Sequence, residues 1–291
     1  MRRDDLEPVV PDGPVCVFGA GTMGHGIAQV TAMAGYETRL FDVEPDALEE
    51  GLEAIRAHLD KGVELEKVEP EVRDRALDGI TPTTDHRKAA GGAGVVVEAV
   101  PERLELKQDV LRAACDLAAD DALLGTNTSS LSITELAAGV PAPDRVVGVH
   151  FFNPVHIMER VEVVVGERTA RDVAARALGL AGKLGKTPIL VEDSPGVASS
   201  RLGVALGLEA IRMLEAGVAS AEDIDRAMTL GYNHPVGPLK LTDIVGLDVR
   251  LEVARYLSEE LGERFRPPGL LERMVEEGKL GKKAGEGFYE W

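Results

Sequence analysis

A chain of 291 residues, 44% hydrophobic and 28% charged, is long enough for one large domain or two ordinary ones and has the balance of a globular protein with a real core. Its formal charge of −18 argues against general nucleic-acid binding, which needs a basic footprint, and obliges any anionic ligand to find a locally positive site. Two cysteines, Cys16 in an apolar run and Cys115 in an Ala-rich helical pattern, have no metal spacing and no disulfide framework, so both read as small core residues.

Residues 1–13 are charged and contain proline, without the apolar stretch of a signal peptide, and no apolar run reaches the length of a membrane span. The expectation is a cytoplasmic protein with no membrane partner. Residues 15–18 read as a short buried strand. The spacing of Ile27, Val30 and Met33 predicts a helix over 24–34, closed by Gly35. A second strand over 38–41 ends at Asp42. Two helices, over 45–62 and 70–77, predict a helical hairpin (about 45–79) inserted between strands. Strand character returns over 95–100, 123–125 and 146–152, with a helix over 104–119. Further strands over 161–165 and 189–191 flank a helix over 170–184. This alternation predicts an α/β fold, a parallel sheet with helices on both faces. After Asp193-Ser194-Pro195-Gly196 only helical periodicity remains, broken at Pro267-Pro268-Gly269 before a last helix over 270–277. The boundary therefore falls near Asp193, with an α/β domain over 1–193 and an all-α domain over 194–291.

Gly19-Ala20-Gly21-Thr22-Met23-Gly24 follows the first strand and opens the first helix. In a Rossmann-type turn the first glycine permits the tight bend, the second lets the backbone approach a pyrophosphate, and the third allows close helix–strand packing. Asp42, at the end of the second strand, stands where a carboxylate bonds adenosine ribose hydroxyls. A carboxylate there repels a 2′-phosphate, and Val43 and Glu44 supply no cation, so the expected dinucleotide is NAD in preference to NADP.

The chemistry is expected at the carboxyl edge of the later strands. Asn127-Thr128-Ser129-Ser130 follows a buried strand, where open α/β sheets bind ligands. Ser129 is assigned to the site, while Ser130 and Ser132, with Glu135 behind them, suit a helix cap. His150, at the end of another strand, is a candidate base near neutral pH if a carboxylate orients its other nitrogen. Glu162 lies in the next apolar run. Taken singly it suits a solvent-facing strand position; if adjacent strands bring it to His150, the two are a base and its partner. His25 is expected to face outward near the cofactor, His58 and His86 to lie on the surface, and His156 to sit near the site without an evident partner. No residue group has metal-ligand spacing, so no metal is expected.

Taken together these residues resemble the 3-hydroxyacyl-CoA dehydrogenase family, and its short bacterial 3-hydroxybutyryl-CoA members in particular. The resemblance runs from about Val15 to the end of the chain. It is carried by the glycine turn, Glu98-Ala99-Val100-Pro101-Glu102, Asn127-Thr128-Ser129-Ser130-Leu131, His150-Phe151-Phe152-Asn153-Pro154, Asn233-His234-Pro235-Val236-Gly237-Pro238, Gly281-Lys282-Lys283 and Gly285-Glu286-Gly287-Phe288-Tyr289. It implies reversible NAD-dependent oxidation of a 3-hydroxyacyl-CoA, with His150 as base, Glu162 as its partner and Ser129 against the substrate hydroxyl or the nicotinamide. It also implies cofactor contacts from Asp42, Glu102, Lys107, Asn153 and Lys283, a CoA contact from Lys61 or Lys67, and a helical domain that pairs two chains into a homodimer. One departure stands out. Ser200, before Arg201-Leu202, replaces the asparagine that supports the substrate carbonyl in the family. Two rival readings use the same residues: a dehydrogenase of a CoA-free hydroxy acid, of the gulonate type, and an NAD-binding protein with weak catalysis.

Overall fold

The computed structural model describes residues 1–291. The chain divides into two compact units, Met1–Asp193 and Ser194–Trp291. In the first, β1 (Val15–Phe18) is buried at every position, as a strand covered on both faces must be. It feeds α1 (Thr22–Met33) and then β2 (Thr38–Phe41). Next come α2 (Pro45–Glu64) and α3 (Pro70–Asp78), each opened by a proline whose missing N–H costs nothing in a first turn. Leu48, Ile55 and Leu59 of α2 and Ala76 of α3 are sealed into the same core as Ile27 and Val30 of α1.

Two elements that periodicity did not announce follow, β3 (Ile80–Thr83) and α4 (His86–Ala90). The strand contains Pro82 and pairs only with β2 at the edge of the sheet, where a missing donor is tolerated. The helix has five residues, too few for a periodic signal; it is announced by Asp85, whose carboxylate accepts the Arg87 and Lys88 N–H groups. The chain continues through β4 (Val95–Glu98), α5 (Leu104–Cys115), β5 (Leu123–Thr126), α6 (Ile133–Ala138), β6 (Val146–His150), β7 (Arg160–Val165), α7 (Arg171–Lys183) and β8 (Thr187–Glu192).

These strands form one sheet in the order β3-β2-β1-β4-β5-β6-β7-β8. All neighbours are parallel except β6 and β7, which run antiparallel, a departure from the all-parallel expectation. The nine residues 151–159 between them fall short of the dozen or so that a parallel crossover needs, so the chain must turn back.

The second unit holds α8 (Ser199–Glu215), α9 (Ala221–Gly231), α10 (Pro238–Val245), α11 (Leu247–Leu261) and α12 (Gly269–Glu276) around its own core, which includes Val204, Leu208, Ile211, Leu239, Leu251 and Leu257. Two buried carboxylates tie its chain together. Asp225 accepts the N–H groups of Leu239 and Lys240 at the start of α10 and the Tyr289 hydroxyl. Asp243 accepts the N–H groups of Phe288 and Tyr289 and the Trp291 indole N–H, which fastens the C-terminal segment. None of the helices is long and apolar enough to cross a membrane.

Candidate active site

The glycine turn has the geometry its spacing implies. Gly19 has φ +98° and lies so close to β4 that a Cβ would meet the Ala99 carbonyl oxygen at 2.7 Å. A Cβ on Gly24 would sit 1.7 Å from the Gly19 oxygen, so neither position accepts a side chain. Gly21, the N-cap of α1, faces open space instead, and no side chain caps the helix. The first-turn N–H groups, which have no partner within a helix, are left for an anion. Asp42 closes the far side: its Oδ2 accepts the Ala20 N–H at 2.7 Å and its Oδ1 the Glu44 N–H at 3.1 Å. Each oxygen keeps a lone pair for a ribose hydroxyl. A pyrophosphate cradle beside a fixed carboxylate fits a dinucleotide without a 2′-phosphate.

The carboxyl ends of β1, β4, β5 and β6 follow one another along the same edge, three strand spacings or roughly 14 Å in all. At the end of β4, Glu98 is fully buried. Its Oε1 accepts from the Val100 N–H at 2.6 Å and Lys107 Nζ at 2.8 Å, and its Oε2 from the Thr126 hydroxyl at 2.7 Å, across the Glu98–Thr126 register of β4 and β5. Burial pushes its carboxyl pKa up, and the Lys107 ammonium only partly offsets this. In the sequence Glu98 reads as part of a strand over 95–100 with no site role of its own; the strand ends at Glu98. The available signal was a charge closing an apolar run, with a lysine nine residues on.

Lys107 itself is 1% exposed; besides Glu98 it reaches the Val100 carbonyl at 3.1 Å and Glu102 Oε2 at 3.2 Å. Glu102 in turn gathers the turn after β5. Its Oε1 accepts from the Thr128 hydroxyl at 2.6 Å, the Ser129 N–H at 3.0 Å, the Ser130 N–H at 3.1 Å and the Ser130 hydroxyl at 3.0 Å. Ser130 is thus a Glu102 ligand and not a helix cap. Ser132 alone caps α6, through the Glu135 N–H. Ser129 presents an exposed side chain from this pinned turn. Asn127 anchors the turn to β6, its Oδ1 accepting the Phe151 N–H at 2.8 Å.

Burial pushes the Glu102 carboxyl up, but Lys107 and the donors from Thr128, Ser129 and Ser130 outweigh it and hold the pKa below 4.5. A lowered folded-state value means stability that is complete above pH 4.5 and lost as pH falls through the folded value. Glu102→Gln is therefore expected to lower the melting temperature at pH 7 by roughly 2 °C, a small effect because the side chain is partly solvated. The gap should close in acid, and melting curves across pH check this.

At the end of β6 lies His150, 4% exposed, and opposite it on β7 lies Glu162, 0% exposed. The antiparallel register pairs Gly148 with Val164, Val149 with Val163 and His150 with Glu162, so the two side chains leave the same face of the sheet as direct neighbours. His150 Nδ1 lies 2.9 Å from Glu162 Oε2. A carboxylate only accepts, so in the neutral ring the proton sits on Nδ1 and the Nε2 lone pair is free. The ring also packs on Phe152, centroids 4.4 Å apart, and Phe152 is covered by the Arg160 guanidinium at 4.1 Å. Glu162 is accordingly a buried, paired carboxylate and not a strand's solvent-facing charge.

Asn153 is exposed just beyond this strand. Lys283 lies in the second unit, its Nζ 2.6 Å from Asp248 Oδ2, and Ser200 lies in the first turn of α8. Of the two candidate lysines, Lys61 pairs with Glu64 on α2 and Lys67 lies in the loop after it. One expectation about the histidines is overturned. His58 is no lone surface residue: its ring stacks between those of His25 at 5.7 Å and His156 at 4.3 Å, because α2 packs over α1. His156 thereby gains the partner it lacked in the sequence.

Residues 14–194 match the family model described as the NAD binding domain of 3-hydroxyacyl-CoA dehydrogenase, and residues 196–291 match its C-terminal domain. The chain belongs to the 3-hydroxyacyl-CoA dehydrogenase family. Among its relatives is a probable 3-hydroxybutyryl-CoA dehydrogenase of Bacillus subtilis, 41% identical over 279 residues that span 95% of this chain and 96% of that one. A 3-hydroxyadipyl-CoA dehydrogenase of Escherichia coli is 40% identical over 95% of this chain and 58% of its own length. The crystal structure of (S)-3-hydroxybutyryl-CoA dehydrogenase from Ralstonia eutropha superposes with a TM-score of 0.92 at 38% identity, covering 96% of this chain and 98% of that one. Members of this family are NAD-dependent oxidoreductases, and the eight-stranded sheet with its following helical unit is the family's architecture.

Proposed function

We propose that this chain catalyses the reversible NAD-dependent oxidation of an (S)-3-hydroxyacyl-CoA to the 3-oxoacyl-CoA, with His150 as the base. The observation that carries this reading is the buried His150–Glu162 pair on the strand edge that also bears the glycine turn. NAD, when bound, supplies the two-electron acceptor that takes the C3 hydrogen as hydride. His150 Nε2 accepts the hydroxyl proton as the C–O bond becomes a carbonyl. Glu162 fixes the imidazole tautomer and stabilises the imidazolium that results. In the reverse direction the protonated ring donates to the oxygen.

The Gly19–Gly24 turn and α1 would hold the pyrophosphate and Asp42 the adenosine ribose. Ser129 and Asn153, one on the Glu102-pinned turn and one just past His150, would orient the nicotinamide or the substrate hydroxyl. Glu102 and Lys107 would bound the same ligand from β4 and α5. This reading rests on residues of the first unit alone. Two free cysteines, one buried and one half-buried, suit the reducing cytoplasm in which we place the reaction. A homodimer completes the proposal, and light scattering of the pure protein tests it.

The deciding experiment measures NADH formation with 3-hydroxybutyryl-CoA, with longer hydroxyacyl-CoA thioesters and with free hydroxy acids. Turnover confined to the thioesters is the expected result. Turnover confined to the free acids would move the chain to a gulonate-type activity, and tight NADH binding without turnover on any of them would leave a binding protein. The Ser200→Asn variant, run alongside, tests whether the shorter hydroxyl limits the rate.

A further inference from the structure

The His150–Glu162 pair occupies the last rung of its ladder. β6 and β7 pair through Gly148–Val164, Val149–Val163 and His150–Glu162, and beyond that rung the chain leaves the sheet for residues 151–159. The end of a ladder frays first unless the connection that follows is itself held. This connection also carries Asn153. Its shape therefore sets how firmly the imidazole meets the carboxylate and where Asn153 stands.

Part of the connection is fixed by packing. Val155 is sealed in the core against Gly26 of α1, where a Cβ would lie 2.8 Å from the Cβ of the valine, and the His156 ring lies on His58 of α2. The backbone makes one turn, in which the N–H groups of Ile157 and Met158 both reach the Pro154 carbonyl. The Val155 and Met158 carbonyls receive no backbone donor. One side chain takes both: Lys186 Nζ donates to the Val155 oxygen at 2.7 Å and to the Met158 oxygen at 2.9 Å.

The lysine arrives from the strand beyond β7. Gly185, at φ +70°, turns the chain out of α7, and the Thr187 N–H then meets the Glu159 carbonyl at 2.6 Å where β8 pairs with β7. That bond brings Lys186 alongside the turn. The side chain is half-buried, and burial pulls its ammonium pKa down, with the charge of Glu159 as the opposing influence. Holding a long flexible side chain also costs rotamer freedom. What offsets these costs is a pair of charge-assisted hydrogen bonds that fix the direction of two peptide planes in the connection.

We propose that Lys186 is a positioning residue for the reaction. By tying the Val155 and Met158 carbonyls to the start of β8, it holds the connection in the shape that keeps His150 against Glu162 and presents Asn153. The inference rests on the dehydrogenase reading above. The bonds of Lys186 go to the connection and not to either member of the pair, so its action passes through the backbone.

The test compares wild type with Lys186→Met and Lys186→Arg, each well below its melting temperature. One readout is kcat for hydroxyacyl-CoA oxidation beside the Kd for NADH. The other is the proton resonance of His150 Nδ1 in protein with isotope-labelled histidine, identified by its absence from His150→Gln. Lys186→Met is expected to lower kcat about 10- to 100-fold, the scale on which a displacement of about 1 Å slows a reaction, while the Kd for NADH stays within a few-fold. Its Nδ1 proton should exchange faster with water and its signal broaden. Lys186→Arg keeps a cationic donor and should lose less on both counts.

A lysine with only a structural role would lower the melting temperature and leave both the resonance and the kcat of the folded enzyme as in wild type; that result overturns the proposal. So does a fall in kcat with an unchanged resonance, and so do equal losses in the two variants. Should Lys186→Met not fold, Lys186→Gln, with a neutral donor on a shorter stem, is held to the same criteria. Absence of turnover on every thioester in wild type would count against the function, and the resonance alone would then decide whether Lys186 holds the pair.

Discussion

His150→Gln is expected to lower kcat for hydroxyacyl-CoA oxidation by about 10²- to 10⁴-fold, the range a positioned general base supplies, while the Kd for NADH changes by no more than a few-fold. Glutamine fills similar space and can hydrogen-bond, but it cannot take a proton near neutral pH. Glu162→Gln should cost nearly as much for a different reason. Its amide can donate to Nδ1, and the imidazole proton then moves to Nε2, where it blocks the lone pair that receives the hydroxyl proton. Because the two side chains act as one unit, the double variant should be little slower than His150→Gln alone. Steady-state rates for the three variants, with NADH titrations by fluorescence, check this. Unchanged turnover in His150→Gln would remove the base assignment, and strictly additive losses would separate Glu162 from it.

Lys107→Met should have the largest effect on stability. The substitution leaves Glu98 buried with its cation gone, and breaking a buried pair from one side costs about 3–5 kcal/mol. The penalty depends on pH with a definite sign. Burial already raises the Glu98 pKa, and the loss of Lys107 raises it further. A raised folded-state carboxyl value means that the deficit is largest above that value and shrinks as pH falls toward the unfolded one. Melting curves of Lys107→Met should therefore approach wild type in acid. Adding Glu98→Gln, which neutralises the stranded charge, should recover part of the loss at pH 7. If the single variant melts like wild type, or the double variant melts lower still, the buried pair is not what secures the β4–β5 edge.

Both predictions concern groups whose residue types the sequence displays and whose contacts it hides. The glycine turn was legible because its chemistry is local. A strand, three glycines at fixed spacing and the first turn of a helix lie within ten consecutive residues, from Val15 to Gly24, and Asp42 follows at the end of the next strand. The β-α alternation up to Asp193 and the helical remainder were legible for the same reason, since periodicity is a property of neighbours in sequence. Ile80–Thr83 was not, because an edge strand with Pro82 and half its side chains exposed has no buried pattern to display.

Thus the chain order by itself determined a dinucleotide cradle, the succession of strands and helices, and a list of polar residues gathered near strand ends. Tertiary structure alone decided how those residues pair. The turn-back of β7 set the register that puts Glu162 across from His150, where a parallel crossover would have carried it elsewhere. Packing of α5 on the sheet buried Lys107 against Glu98 and Glu102, and packing of α2 on α1 set His58 between two other rings. The physical reason is the same in each case. A side chain's charge and hydrogen bonds depend on which groups exclude water around it, and those groups arrive from distant parts of the chain only once the core has closed.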